Sequence, residues 1–477
     1  MKKKNYILLS LFATLALCLS GCDNNYLNVD SQETVEASDS STVYTPEMFV
    51  NAVYGEFTNW DYGFSYLGIT EIISDNADKG STSSDTGTDK DVLDALTYTV
   101  SCGSIEAMWE RWYKSIGRAT QAIEYTENYG MTDTSLKNRY IGECRFLRAL
   151  NYFYLVRGWG AVPIQSIDLA TRQPVATVYA YIEDDLLAAA AALPLKSEYD
   201  DTDLGRATKG AAQALLAKVY LYQENWEKAY LYADSVLTSG EYSLEPDYAN
   251  IWKEEYENGV ESIFEFQARG ESVAHGVQQY SQTQGPRNAG FMSGWGFNVP
   301  SADLLAAYNM RGDTVRRNAT IIFRGETLYD GNTVSSGATN AMYNYKAYSS
   351  ADLASDDTDK NIRYMRLGEV YLIKAEAAAE LGYTSNALSA LNTVRERVGL
   401  ADQTTTDQTA LIDSIWVERR LELAFEHDRW FDLNRTGQGY SVMTALGYPY
   451  EENKHELFPI PEEQILETPT MEQNPNW

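Results

Sequence analysis

Between residues 136 and 157, Tyr140, Cys144, Leu147, Leu150 and Tyr154 fall at i, i+4, i+7, i+10 and i+14. That is one stripe of a 3.6-residue helix. The segments 104–128, 178–193, 208–238, 361–398 and 408–433 carry the same period, so the sequence predicts a mostly α-helical chain. Of its 477 residues, 44% are hydrophobic, enough apolar material for a large packed core, and wholesale disorder is excluded. Length alone sets a soft limit of roughly three domains.

Two helical stretches share a second pattern. Ala217, Tyr220, Trp226 and Ala229 have the small–aromatic–aromatic–small spacing of a tetratricopeptide helix pair. Tyr371, Ala375, Ala378, Ala387 and Leu391 take comparable positions about 150 residues later, so the copies form no uniform array. Alanines let two helices approach closely while rings fill the groove between pairs. Generic antiparallel helices are the alternative reading of the same residues.

Between 240 and 360 the helical period fades. Glu261-Ser-Ile-Phe-Glu-Phe-Gln267 has strand composition, 270–296 is rich in loop residues, and 324–360 carries Gly, Ser, Asn and Asp clusters. Long irregular stretches inside a helical protein are commonly functional. The last 36 residues, with Leu457-Phe-Pro-Ile-Pro461 and Gln473-Asn-Pro-Asn-Trp477, are expected to be non-helical.

At the other end, Lys2, Lys3 and Lys4 precede the apolar run 7–19, which exits through Leu19-Ser20-Gly21-Cys22. A short apolar run with a basic flank and a small-residue exit reads as a signal peptide, because spanning a bilayer needs about 20 apolar residues. The exit resembles the bacterial lipobox, in which the cysteine thiol receives diacylglycerol and becomes the mature N-terminus. Residues 1–21 are therefore expected to be removed, leaving Cys22 as the lipid attachment site and 22–44 as a polar tether. Thr45-Pro46-Glu47 then supplies an N-cap, a first-turn proline and a first-turn acid. Beyond Cys18 and Cys22 only Cys102 and Cys144 remain, too few for a disulfide framework or a zinc cluster. They form either one bridge or two buried thiols.

Lys and Arg total 38 against 68 Asp and Glu, a net charge of −30. So acidic a surface repels nucleic acid unless a basic patch intervenes, and the sequence offers none. The same charge disfavours acidic polysaccharides unless a local Arg or Lys pair overrides it.

Three scattered histidines, His275, His427 and His455, give no metal spacing, and no phosphate or dinucleotide glycine loop is present. The nearest string to a hydrolase elbow, Gly290-Phe-Met-Ser-Gly294, has the wrong spacing. His427 sits among alternating charges at 418–432, read as an ion-paired helix face and a structural histidine. Asp75, Asp78, Asp85, Asp89 and Asp91 form an acidic loop that fits no EF-hand and is read as solvated. Neither a metal nor a cofactor is expected. A glycosidase needs only two carboxylates about 5–10 Å apart, and so many acids leave room for such a pair.

The aromatic residues carry more. Trp60-Asp-Tyr-Gly-Phe-Ser-Tyr66 puts four rings into seven residues, and Tyr280, Phe291, Trp295 and Phe297 accompany Gln284, Arg287 and Asn288 in the glycine-rich stretch. Sugar rings stack their C–H faces on aromatic side chains and give their hydroxyls to Asn, Gln, Asp and Arg. Candidate ligand contacts are therefore Trp60, Tyr62, Tyr66, Asp75, Tyr280, Arg287, Asn288 and Trp295. The alternative is that these rings cap the helical core, which is the expected place for Trp109, Trp112 and Trp226.

Several stretches, in order along the whole chain, together resemble the SusD/RagB-type lipoproteins of Bacteroidetes outer membranes. They are Arg145-Phe-Leu-Arg-Ala-Leu-Asn-Tyr-Phe153 running into Gly158-Trp-Gly-Ala-Val-Pro163, and Gly205-Arg-Ala-Thr-Lys-Gly-Ala211 with Ala217-Lys-Val-Tyr-Leu221. Ile362-Arg-Tyr-Met-Arg-Leu-Gly-Glu-Val-Tyr371 with Ala375-Glu-Ala377, Glu418-Arg-Arg420 with Arg429-Trp-Phe-Asp-Leu433, Pro459-Ile-Pro461 and Gln473-Asn-Pro475 complete the set. The resemblance implies tetratricopeptide-like helix pairs in an α-α superhelix with an irregular loop and short-strand insertion. Residues 45–477 would then be one helical domain, with parts at about 45–240, 240–360 and 361–477. It further implies a surface-exposed lipoprotein that captures oligosaccharides, without catalysis, for a SusC-like TonB-dependent transporter. A RagB-like peptide binder is the alternative, and a glycoside hydrolase a more distant one. The family motifs are scaffold residues, so no ligand contact carries over by motif.

Overall fold

The computed structural model describes residues 43–85, 87–268, 279–291, 293–349 and 360–477. The leader, Cys22, the tether up to residue 42 and His275 lie outside the described residues.

Thr45 stands at the N-cap of α1 (Pro46–Tyr54) with extended backbone but no side-chain capping bond, and Glu47 lies in the first turn. The ring of Pro46 sits where a missing N–H costs nothing. The long periodic segments become α2 (Gly103–Asn128) and α3 (Thr134–Trp159). Asp133 starts α3 by accepting the Leu136 N–H. Nearly every residue of α3 beyond Tyr140 is buried, so its polar groups need partners inside. Arg148 grips Asp185 through Nε and Nη2, both at 2.8 Å, and Arg157 reaches Asp428 at 2.9 Å.

Then come α4 (Val175–Ala192), α5 (Lys209–Tyr222), α6 (Trp226–Leu237), α7 (Leu367–Glu380), α8 (Thr384–Arg397) and α9 (Gln408–Glu422). Neighbours in this order pack side by side from α2 to α6, α6 packs on α7, and α7 packs on both α8 and α9. The run expected to be helical over 208–238 breaks into a hairpin where Glu224 takes φ 54° and Asn225 caps α6. The two tetratricopeptide-like copies, distant in sequence, meet here. Lys374 of α7 bonds Asp234 of α6 at 2.6 Å, and Tyr383 packs edge-on against Tyr230. Ala217, Ala229, Ala375, Ala378 and Ala387 are fully buried, the small side chains that close helix approach requires.

The strands are short: β1 (Ala77–Gly80), β2 (Val162–Ile164), β3 (Asp168–Gln173), β4 (Ser262–Phe266), β5 (Phe297–Pro300), β6 (Ile321–Phe323), β7 (Met342–Asn344) and β8 (Ile362–Arg366). They pair antiparallel as β1–β5, β2–β3, β4–β8 and β6–β7. Three boundaries differ from expectation. Residues 362–366 are a strand, because β4 offers them a buried partner. The segment 408–433 is two helices, α9 and α10 (Arg429–Arg435), parted where Phe425 and His427 take φ 63° and 70°. The C-terminal stretch contains a short helix, Glu462–Glu467, which Pro461 precedes.

The charges of 418–432 are paired but not on a solvated face. Arg316, fully buried, meets Asp313, Glu418 and Glu422 at 2.5, 2.6 and 2.9 Å. Arg366 of β8 meets Glu261, Glu422 and Glu426 at 2.8, 2.5 and 2.7 Å. These pairs join the insertion to α9. Cys102 and Cys144 are free and buried, and burial pushes the Cys102 thiol up to about 11. Trp112 lies in the core, stacked on Tyr154 at 4.6 Å, while Trp226 is partly buried against it. Among the described residues no helix is long and apolar enough to cross a membrane.

Candidate functional site

The loop-rich insertion is strapped to the N-terminal part by β1 and β5, in register Ala77↔Pro300, Asp78↔Val299 and Gly80↔Phe297. Gly80 has φ +71°, and a Cβ there would lie 2.5 Å from the Gly296 carbonyl oxygen. Only glycine permits this approach. The strap delivers Ser81 to the turn before β5: its N–H donates to Gly296 O at 2.6 Å, and its Oγ meets the Trp295 carbonyl at 2.9 Å.

A polar cluster forms at that junction. Asp85 Oδ2 accepts Ser81 Oγ at 2.6 Å, Thr82 N at 2.7 Å, Thr82 Oγ1 at 2.6 Å and Arg287 Nη1 at 2.6 Å. Arg287 Nη1 also donates to Ser81 Oγ at 2.6 Å. The hydrogen bonds from Ser81, then Thr82 and Arg287, hold the Asp85 carboxyl well below its usual range. The Asp85 and Arg287 side chains remain 20% and 30% exposed.

Rings flank the cluster. Trp60, 40% exposed, tilts against Phe64 at 4.9 Å, and Phe64 meets Phe297 of β5 edge-on at 5.4 Å. Lys90 lies 3.7 Å over the Phe64 ring and bonds Asp89 at 2.9 Å. Trp295 is half-buried, its backbone N–H donating to Gln282 O at 2.8 Å. Asn288 is exposed at φ 57° and donates to Thr339 Oγ1 at 2.9 Å. Trp60, Arg287, Asn288 and Trp295 thus lie at the surface of the strapped loops.

The other four candidates are interior residues. Trp112 Nε1 donates to the Tyr62 hydroxyl at 3.2 Å, and the Tyr66 and Tyr154 hydroxyls meet at 2.6 Å. Both tyrosines are fully buried, because the short helices at 60–67 turn alternate rings inward onto α2 and α3. Tyr280 is buried against His427. Asp75 is buried beneath Arg429, which binds it twice at 2.7 Å, and Arg420 at 3.1 Å. Burial alone would raise its carboxyl, but Arg429 and Arg420 outweigh that and hold it below its ordinary value. It ties α10 to the strand β1 and has no free oxygen for a ligand.

Asp85 was read from sequence as one acid of a solvated loop. The signal for its role is Ser81-Thr82 placed four and three residues before it, a hydroxyl pair that can fold back onto one carboxylate. Two clefts elsewhere are small. One lies among Glu245, Tyr256, Glu261 and Arg363, and another among Lys196, Tyr199, Arg206 and Asn258. Neither has room for more than a water or so. The strapped face is therefore an open platform of rings around charged and hydroxyl groups. No group of three or more His, Cys, Asp or Glu among the described residues could hold a metal ion.

Helix pairs carrying a loop-built aromatic face define this scaffold, and comparison with known proteins gives it a family. The model described as the SusD family matches residues 260–477, and one described as "Starch-binding associating with outer membrane" matches 28–221. The chain is 28% identical to the SusD-like protein P2 of Formosa agariphila over the full length of both. A solved laminarin-binding SusD-like protein is 26% identical with TM-score 0.77, covering 91% of this chain and 99% of its own. The surface glycan-binding protein A of Bacteroides uniformis is 25% identical with TM-score 0.75, covering 90% and 98%. The chain belongs to the SusD/RagB family.

Proposed function

We propose that this protein is a lipid-anchored outer-membrane lipoprotein that captures oligosaccharides on the face built by Trp60, Arg287, Asn288 and Trp295. It then passes them unchanged to a SusC-like TonB-dependent transporter. The observation that carries the reading is the exposed Trp60 and half-buried Trp295 beside a preassembled polar group, Ser81–Asp85–Arg287. Flat apolar walls with a few fixed polar groups match a sugar's C–H faces and hydroxyls. Each stacked ring contributes about 1 kcal/mol beyond area burial, so affinity for a short oligosaccharide is modest. The laminarin-binding relative supports the ligand class. Cys22 carries the lipid, residues 22–44 tether the domain that begins at 45, and the description of the second family model favours the outer membrane. Holding ligand beside a transporter mouth raises its local concentration there.

The test is affinity electrophoresis and calorimetry of the purified protein on a polysaccharide panel headed by laminarin, with a peptide pool alongside and product analysis of every mixture. Retardation by one glycan whose chain length stays constant is expected. Shortened chains would make the protein a hydrolase, and peptide binding with no glycan retarded would move the reading to peptide capture.

A further inference from the structure

The polar cluster is asymmetric. Asp85 Oδ2 accepts four hydrogen bonds, whereas Oδ1 receives none among the described residues. Arg287 commits Nη1 to Ser81 and Asp85, and its Nε and Nη2 have no partner among the described residues. The side chains are a fifth to a third exposed beside the Trp295 turn. The partly exposed pair thus combines an anionic acceptor, fixed in place, with donors whose charge it already neutralises.

We infer that Asp85, clamped by Ser81, Thr82 and Arg287, sets the charge selectivity of this site: it takes uncharged sugar residues and rejects those bearing carboxylates or sulfates. This rests on the glycan-capture reading and adds the ligand's charge class to it. A neutral sugar hydroxyl donates to Oδ1 and accepts from the guanidinium edge. A uronate or sulfate group has acceptors only, so opposite Oδ1 it brings two anions together with no proton between them. Arg287 cannot rescue such a ligand as a free cation would, because Asp85 already compensates it. Two cations beneath the face are buried and paired: Lys90 with Asp89, and Lys79 with Asp91 at 2.7 Å. Arg324, whose Nη2 donates to Thr339 O beyond Asn288, is an exposed cation at the rim. Solvent screens it from the cluster more strongly than the half-buried pair is screened.

The experiment compares each neutral polysaccharide that binds with the same polymer oxidised at its primary hydroxyls to uronate, laminarin first, at low and high salt. The wild-type protein should bind the oxidised form at least about tenfold more weakly at low salt, the gap shrinking as salt is added. Asp85→Asn should narrow that gap to about threefold or less, the readout being the ratio of the two forms and not the absolute affinity for either. Arg287→Gln should widen it by exposing the carboxylate, and this opposite-signed variant stands on its own if Asp85→Asn does not fold. Equal binding of both forms by the wild type would overturn the inference and leave glycan capture intact. A uniform loss with an unchanged ratio in Asp85→Asn would also overturn it. If no neutral glycan binds at all, the capture reading falls and this inference falls with it.

Discussion

The Tyr280 hydroxyl meets Nε2 of His427 at 3.0 Å, while Thr70 Oγ1 meets the ring's Nδ1 at 3.0 Å and the backbone N–H of His427 donates to the Glu71 carboxyl. A ring from the loop-rich insertion, a left-handed residue between α9 and α10, and the helical turn after Leu67 thus close one buried polar knot. The Lys218 and Lys346 ammonium groups and the Asp428 carboxylate also act on the imidazole. Burial drives His427 down to about 3 and Glu71 up to about 8. At neutral pH the knot therefore holds a neutral imidazole and a protonated carboxyl.

These two groups give opposite pH limbs. Glu71 holds a proton in the folded state that the unfolded chain releases above about 4.5, so its contribution is full at low pH and falls as pH rises toward about 8. His427 refuses a proton that the unfolded chain takes up below about 6.5, so stability falls as pH drops from there toward about 3. Glu71→Gln keeps an acceptor for the His427 N–H and removes the first limb. Thermal melting from pH 6 to pH 8 should show a smaller decline in Tm for this variant than for wild type. An unchanged slope would mean that Glu71 is ionised in the folded protein.

Arg316 is buried with three carboxylates around it. Truncation to Ala leaves Asp313, Glu418 and Glu422 without their shared partner, and should cost about 3–5 kcal/mol in urea unfolding. Arg395→Ala removes one contact to Glu418, which Arg316 still holds, and two hydrogen bonds to the Ala401 carbonyl, and should cost less, about 1–2 kcal/mol. Equal losses from the two would contradict the buried-network account.

Rings on the face and rings beneath it should separate experimentally. Trp295→Ala and Trp60→Ala should each weaken glycan binding roughly tenfold with Tm nearly unchanged. Tyr66→Phe removes the hydroxyl contact to Tyr154 and should cost about 1 kcal/mol of stability with binding retained. Calorimetric titration and melting on the same preparations decide between them.

Gly80→Ala tests the strap. The added methyl meets Gly296 O and Val299 at a backbone angle that penalises any side chain. Because α2 to α8 pack chiefly on one another, the helical circular dichroism should persist while glycan affinity falls by about tenfold or more. Full affinity would mean that the strap does not set the site.

The candidate site was only half legible in the sequence. Within 60–66 the four rings look equivalent, yet Trp60 is exposed whereas Tyr62 and Tyr66 are buried. Their partners Trp112 and Tyr154 lie 50 and 88 residues away, and no local spacing encodes which rings those partners will take. Asp75 and Asp85 pose the same problem: one pairs with Arg429, 354 residues distant, the other with Arg287, 202 residues distant.

What the chain determined by itself was local. The 3.6-residue stripes set the helices, Asp133 and Asn225 set two of their starts, and alanine spacing marked the helix pairs, because turn hydrogen bonds and caps act within a few residues. The tertiary structure decided the rest. It brought the two helix-pair copies together as α6 and α7, turned 362–366 into a strand by supplying β4, buried the charges of α9, and used the β1–β5 strap to raise Trp295 beside Asp85. Each of those outcomes depends on which distant surface removes a side chain from water, and that is settled only when the whole chain packs.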